Sequence, residues 1–368
     1  MSHQTTFASR AQQAPPAPEP EYGPPPGVLV LRLGRALALP VRRRSLIVWL
    51  LIAAAVLMAS AATLTVGNLG ISIAQLPSVL SGGGEATDRF VLSRLRGPRL
   101  LVGAGVGAAL GIAGALFQAV TRNPLGSPDV IGLGAGAGAG AAVAALLVPG
   151  TVPVPVGALL GAGLAIGLVA LSTGTGLRHP GRLIVAGIGV AAMAQAFTHF
   201  VVAVIARDEA TSLATYLNGS LTARDWEHAG IIWGALLLSL PVLLYLAGPV
   251  RLGEMGDEIS QTLGVPAKAT RTVAILMSVL LSAAAVSVAG PISFVALTAP
   301  QIARRMAGAG GPSLVLSAAV GALLVVCADL VVQQVPLGEG LPVGIVTMAL
   351  GGLYLGHLLI REWRKGTL

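Results

Sequence analysis

Apolar runs of membrane-spanning length recur along the chain at 45–66, 98–120, 128–148, 153–173, 182–205, 229–248, 270–289, 292–308, 313–334 and 341–360. Each approaches the ~20 residues a helix needs to cross about 30 Å of hydrocarbon. None shows the period-two alternation of a membrane β-barrel. The pattern predicts an all-α polytopic membrane protein of about ten helices. Ahead of the runs, "AQQAPPAPEPEYGPPPG" and a basic stretch ending in Arg42-Arg43-Arg44 predict a disordered arm over 1–44, because such a composition buries too little apolar surface to order itself. The first run contains "MASAA", which resembles a signal-peptide cleavage site. With a long leader before it and nine runs after it, it is read as an uncleaved helix. The expected organisation is a cytoplasmic arm (1–44), a transmembrane domain (45–361) and a short cytoplasmic tail (362–368).

Charge sets the expected topology. With the N-terminus inside, 17 of the 23 basic residues fall on the cytoplasmic side. They comprise six arginines before the first run, then Arg122, Arg178, Arg182, Arg251, Lys268, Arg271, Arg304, Arg305, Arg361, Arg364 and Lys365. Six remain outside: Arg89, Arg94, Arg96, Arg99, Arg207 and Arg224. The positive-inside rule then places both termini in the cytoplasm. The four arginines of the first outside loop fit two readings equally: snorkelling at a helix end, or a basic patch for an acidic partner.

Composition narrows the chemistry. Charged residues make up 10% of the chain and mean hydropathy is +0.82, against about 25% charged residues in a soluble domain. The net charge of +8 therefore reflects topology and not nucleic-acid binding. Among 49 glycines, Gly103-Gly107-Gly111, Gly157-Gly161 and Gly163-Gly167 stand four apart, the spacing of close helix packing. One cysteine, Cys327, excludes disulfides and thiolate metal sites. The five histidines have no ligand spacing. The run Gly132, Gly134, Gly136, Gly138, Gly140 has no G-x-G-x-x-G register. The two lysines, Lys268 and Lys365, do not follow glycine, so no P-loop exists.

Three interruptions stand out. Arg122-Asn123-Pro124-Leu125-Gly126-Ser127-Pro128-Asp129 joins two apolar runs, and Ser127-Pro128-Asp129 reads as a helix start. By spacing alone it is either an ordinary turn or irregular backbone lining a path. "RLGEMGDEISQTLGVPAKATR" (251–271) predicts a short amphipathic helix outside the membrane, opened by Asp257 and Glu258 and closed by Gly264 and Pro266. Such a helix suits a groove on another protein. In "GPISFVALTAPQIARRMAG" (290–308), Pro300 interrupts the run before Gln301, Arg304 and Arg305. Asp329 lies inside an apolar run, where a charge costs roughly 3 kcal/mol. It is expected to face protein or water, and a helix-packing hydrogen bond is favoured over a substrate contact.

"RLRGPRLLVGAGVGAALGIAGALFQAVTRNPLGSPDVIGLGAGAGAG", "GDEISQTLGV", "GPISFVALTAPQIARR", "GALLVVCADLV" and "LPVGIVTMALGG" occur in this order. On these blocks the chain resembles the permease subunits of iron-siderophore and vitamin B12 ABC importers. "PQIARR" with "GGxY" is most similar to the ferric enterobactin-type subset. The resemblance implies type II ABC importer permease architecture, with a second permease as partner (a paralogue in preference to a second copy). It also implies two P-loop ATPase subunits, which use ATP and Mg, and an external siderophore-binding protein. No cofactor is expected on this chain. By the same resemblance, Arg96 and Arg99 dock the binding protein, and Asn123 and Leu125 close the cytoplasmic gate. Glu254, Gly256, Asp257, Glu258, Leu263, Gly264 and Val265 belong to the segment that couples to the ATPase. Gln333 replaces an arginine frequent at its place, and Gln301 replaces a histidine. The alternatives are a permease for vitamin B12 or haem and a secondary carrier driven by protons or sodium. An intramembrane enzyme has no paired-acid or His-Glu-x-x-His constellation to support it.

Overall fold

The computed structural model describes residues 28–33, 37–67, 69–174, 180–205, 216–308, 313–334 and 341–364. Residues 1–27, with Arg10 and the whole Pro-rich tail, lie outside the described residues, as do Arg35, Arg178, His179, Arg207 and Lys365. The elements run α1 (Arg43–Thr65), α2 (Leu76–Leu80), α3 (Ala86–Phe90), α4 (Gly97–Thr121), α5 (Leu133–Ala142), α6 (Val154–Ser172) and α7 (Pro180–Ile205). They continue as α8 (Trp226–Gly253), α9 (Asp257–Thr262), α10 (Ala267–Ala289), α11 (Val295–Ala307), α12 (Leu314–Gln334) and α13 (Val343–Arg364). Every predicted run contains one of the longer helices. Among the described residues, seven helical stretches are long and apolar enough to cross a membrane, and Leu133–Leu147 and Val343–His357 are shorter apolar helices. The last helix continues to Arg364, so the expected tail begins inside it.

Two expectations need correction. In the arm, Val28–Leu33 (β1) and Leu37–Arg42 (β2) pair antiparallel, with Leu31 opposite Leu39. The Val/Leu-rich sequence here favours extended pairing, unlike the Pro-rich tail before it. The expected span 292–308 is also not one long helix. Gly290 ends α10 with φ +73, residues 291–293 are irregular, and α11 begins only at Val295. At 1.5 Å per residue its 13 residues reach roughly 20 Å, too short to cross alone.

The bundle is organised around α4. The apolar window containing α4 is 83% buried, against 17% for that of α7. One apolar core joins Val106, Leu110 and Leu116 of α4 to Ile232 and Leu246 of α8, Leu281 of α10 and Val325 of α12. A second gathers α5, α6 and α7 around Phe117 and Ile275. Along α4, glycines let backbones touch. A Cβ on Gly107 would overlap the carbonyl of Gly321, one on Gly111 that of Ser317, and one on Gly114 that of Ala296. Gly136 and Gly140 of α5 meet Gly157 and Gly161 of α6 in the same way.

Gly163 and Gly167 differ: nothing lies within 4 Å of a Cβ built on either. They sit six residues beyond Gly157 and Gly161, about 240° round the helix, and face away from α5. Equal spacing in sequence therefore separates into one packed pair and one open pair. Gly111→Ala is expected to push α4 from α12 and cost about 1–3 kcal/mol, whereas Gly167→Ala should be neutral or slightly stabilising. Thermal unfolding of both variants in detergent checks this, and equal midpoints would contradict the packing account.

Candidate functional site

The segment between α8 and α10 is held from within. Gly256 takes φ +117 and turns the chain into α9. At the first residue of α9, the Asp257 carboxylate accepts hydrogen bonds from Arg122 and from Arg271, the latter at 3.1 Å to each oxygen. Arg122 ends α4 in the left-handed conformation (φ 50) and also donates to the Gly253 carbonyl at 2.9 Å. Burial pushes the Asp257 carboxyl up, but the hydrogen bonds and charges of Arg122 and Arg271 outweigh it and hold it below the usual carboxylate range. Both ends of the Arg122–Asp257 pair are about 40% exposed, so it contributes only about 0–1 kcal/mol to stability. It fixes position more than it stabilises. Glu254 likewise turns inward, 3.6 Å from Arg304. Burial raises its carboxyl above the ordinary value, and Arg304 and Arg251 oppose that rise.

The resemblance grouped seven residues in this segment, and the geometry sorts them. Glu254 and Asp257 make internal ion pairs, Val265 is buried, and Gly256 and Gly264 (φ +81) shape the backbone. Glu258 and Leu263 point outward. Met255, Ile259 and Leu263, in and on either side of α9, are apolar side chains each at least half exposed.

The polar turn 122–127 lies beside this segment. The Asn123 Oδ1 accepts from the Leu125 N–H at 2.9 Å, and the Asn123 carbonyl accepts from Gly126 at 3.0 Å. Leu125 remains 53% exposed. Ser127 Oγ accepts from Asp129 N–H as the predicted cap, opening a 3₁₀ turn (Pro128–Ile131) ahead of α5. Side chains of α11 hold the turn. Gln301 Nε2 donates to the Pro124 carbonyl at 2.7 Å, and Arg304 donates to Gln118 Oε1 at 2.6 Å. Gln118 in turn donates to the Leu297 carbonyl at 2.9 Å.

On the opposite face the outer arginines divide. Arg99 grips Asp329 through Nε and Nη2 at 2.7–3.0 Å, and Gln333 Nε2 donates to the same carboxylate at 2.7 Å. Asp329 thus has the helix-packing role expected of it. Arg96 donates to the carbonyls of Thr63 and Val66, both at 2.7 Å, beyond which α1 has no intrahelical donors. Arg89 and Arg94 remain exposed. Both arginines assigned by resemblance to docking therefore already have partners within the chain.

A cavity of about 480 Å³ opens between α5, α7 and the irregular segment before α11. Asp129, Gln195, Thr198, His199 and Ser293 supply its polar groups, while Gly134 and Gly138 leave room in its wall. The alternating glycines of α5 therefore serve two faces, one packed on α6 and one open to the cavity. Among the described residues, no group of three or more His, Cys, Asp or Glu could hold a metal ion.

Sequence reading missed Gln118 and the cavity residues as a group, counted Arg271 only towards topology, and gave Arg122 no partner. Gln195 and His199, four apart on one face of an apolar helix, were a usable signal. For the buried pair, Asp329→Ala leaves Arg99 without its partner and should destabilise by roughly 3–5 kcal/mol. Arg99→Ala with Asp329→Ala should cost less than the sum of the single changes. A double-mutant cycle on unfolding in detergent checks this; additivity would show the pair to be uncoupled.

Comparisons with known proteins match this architecture. The model of the FecCD transport family matches residues 50–361. The ferric enterobactin transport system permease protein of Escherichia coli (strain K12) is 39% identical over 329 residues, covering 88% of this chain and 99% of that protein. The Fe(3+) dicitrate transport system permease protein FecD of the same organism is 36% identical, covering 74% and 86%. A Fe(3+)-citrate import system permease protein of Bacillus subtilis (strain 168) is 32% identical, covering 88% and 98%. A solved structure assigned to the metal-chelate type of ABC transporter, captured facing inward, superposes with a TM-score of 0.75 at 24% identity, covering 86% of this chain and 99% of that one.

Proposed function

Because the chain belongs to the FecCD transport family, we propose that it is the permease subunit of an ATP-driven importer that carries a ferric siderophore across the cytoplasmic membrane. The observation that carries this reading is the 39% identity to a ferric enterobactin permease over nearly that protein's whole length. Separate P-loop ATPases supply the energy. In this reading the chain itself binds neither ATP nor a cofactor, and an external siderophore-binding protein delivers the cargo.

The α9 face is cytoplasmic in this reading, since Arg122, Arg251, Lys268, Arg271, Arg304 and Arg305 gather there, and both termini share that side. The exposed apolar side chains of Met255, Ile259 and Leu263, with Glu258, are the contact for the ATPase. Asn123 and Leu125 close the path beside it. The cavity is this chain's share of the path. Its wall on α7 carries Gln195 and His199 on the least buried long helix, a polar surface that suits a second permease or water better than lipid. A paralogue is the preferred second permease. Arg99 is occupied by Asp329, so Arg89 and Arg94 join Arg96 and Arg99 as candidates for meeting acidic groups of the binding protein. The Asp329–Arg99 pair gives the intramembrane acid a packing role, which weakens the case for an ion-driven carrier.

Purification of the tagged chain from its native host in mild detergent should recover a P-loop ATPase and a similar, non-identical permease. Recovery of the ATPase with no second permease type would favour a homodimer. Failure to recover any ATPase would overturn the importer reading. Glu258→Ala with Leu263→Ala should weaken ATPase association by at least about fivefold, the loss typical of interface anchors. Unchanged association would remove α9 from the contact.

A further inference from the structure

The exposed apolar side chains at α9 can receive a push, but they do not explain how the push reaches the turn 122–127. Only Ser260 of the six residues of α9 is buried, so the helix has little packing of its own. Its polar tie to the bundle is the Asp257 carboxylate, gripped from α4 by Arg122 and from α10 by Arg271. Arg122 is covalently adjacent to Asn123, and its left-handed backbone sets the direction in which the turn leaves α4. The same guanidinium holds the Gly253 carbonyl at the end of α8. One side chain therefore touches the end of α8 and the start of α9, while its backbone begins the turn. Glu254 and Arg304 continue the chain of contacts to α11, which holds the turn from its other side through Gln301.

We propose that Asp257 and Arg122 form the mechanical link that makes the turn 122–127 follow α9. Asp257 is then a positioning residue that transmits movement, and it makes no contact with the ATPase. The inference rests on the reading of α9 as the ATPase contact. The half-exposed setting of the pair supports a positional role: it adds little to stability, yet two fixed guanidinium geometries leave the carboxylate one place to sit.

The test uses the assembled complex in lipid nanodiscs, with Cys327→Ser removing the native thiol and Leu125→Cys as the reporter. A membrane-impermeant maleimide labels the turn with and without ATP plus orthovanadate, and ATPase association is measured on the same sample. The unmodified link should give an ATP-dependent change in labelling rate. Asp257→Asn should retain the ATPase yet reduce that change by about tenfold, within the usual range of coupling between sites, and Asp257→Glu should restore part of it. Arg122→Gln should behave as Asp257→Asn does, and combining the two should add little.

An undiminished labelling change in Asp257→Asn would overturn the link. If Asp257→Asn fails to assemble, Arg122→Gln decides by the same criterion. Loss of assembly in both would show an assembly role and overturn transmission. Absence of ATPase from the unsubstituted complex would instead be a failure of the importer reading, so the two failures are separable.

Discussion

Backbone contact along α4 is the constraint on which the molecule depends. At Gly107, Gly111 and Gly114 no side chain separates α4 from α12 and α11. Within lipid the hydrophobic effect gives little reason for helices to associate, so close dispersion contact and interhelical hydrogen bonds must do so. Ser278 Oγ, buried on α10, adds one such bond at 2.7 Å to the Ala113 carbonyl. Fixing α4 also fixes both of its ends. Arg99 at one end and Arg122 at the other are separated by about 34 Å of helix at 1.5 Å per residue. Each forms an ion pair with a carboxylate distant in sequence.

Those two ion pairs differ in kind. Asp329 is nearly inaccessible, and its carboxylate is satisfied by Arg99 and Gln333. Removing Arg99 or Asp329 would strand the other's charge in a low-dielectric interior, where the penalty is several kcal/mol. Asp257 is shared by two guanidiniums at a half-exposed surface, where water screens the attraction. The first pair locks α4 to α12. The second ties a short helix with little packing of its own to the end of α4. Similar residue types thus form a buried lock at one end of α4 and a half-exposed tie at the other, and solvent access makes the difference.

The broken segment before α11 and the cavity belong together. Irregular backbone within a membrane must be covered by protein or meet water. Here Gly290 and residues 291–293 end one helix and begin another beside a polar cavity. The Ser220 N–H donates at 2.7 Å to the Ala289 carbonyl, freed where α10 ends, and the Tyr216 hydroxyl adds a bond of 2.8 Å to that of Val286, which also accepts from the Gly290 N–H.

Much of the architecture was legible in the sequence because hydropathy in a membrane is a one-dimensional signal. Ten runs gave ten helical segments, and Ser127 capped the turn after it as read. The short amphipathic helix also appeared between Gly256 and Gly264. What the sequence could not determine was which way each residue faces. The glycine pairs 157/161 and 163/167 have the same spacing, and only the position of α5 distinguishes seam from open surface. From charge alone, Arg96 and Arg99 fitted snorkelling and an outer docking patch equally, until α1 and α12 brought them the carbonyls of Thr63 and Val66 and the carboxylate of Asp329. Asp257 and Glu258 are adjacent acids in the sequence, but the helix turns one towards Arg122 and Arg271 and the other outward. Composition and periodicity decide that a segment enters the membrane. The choice of partner depends on contacts between residues 14 to 230 positions apart, and only the folded chain provides them.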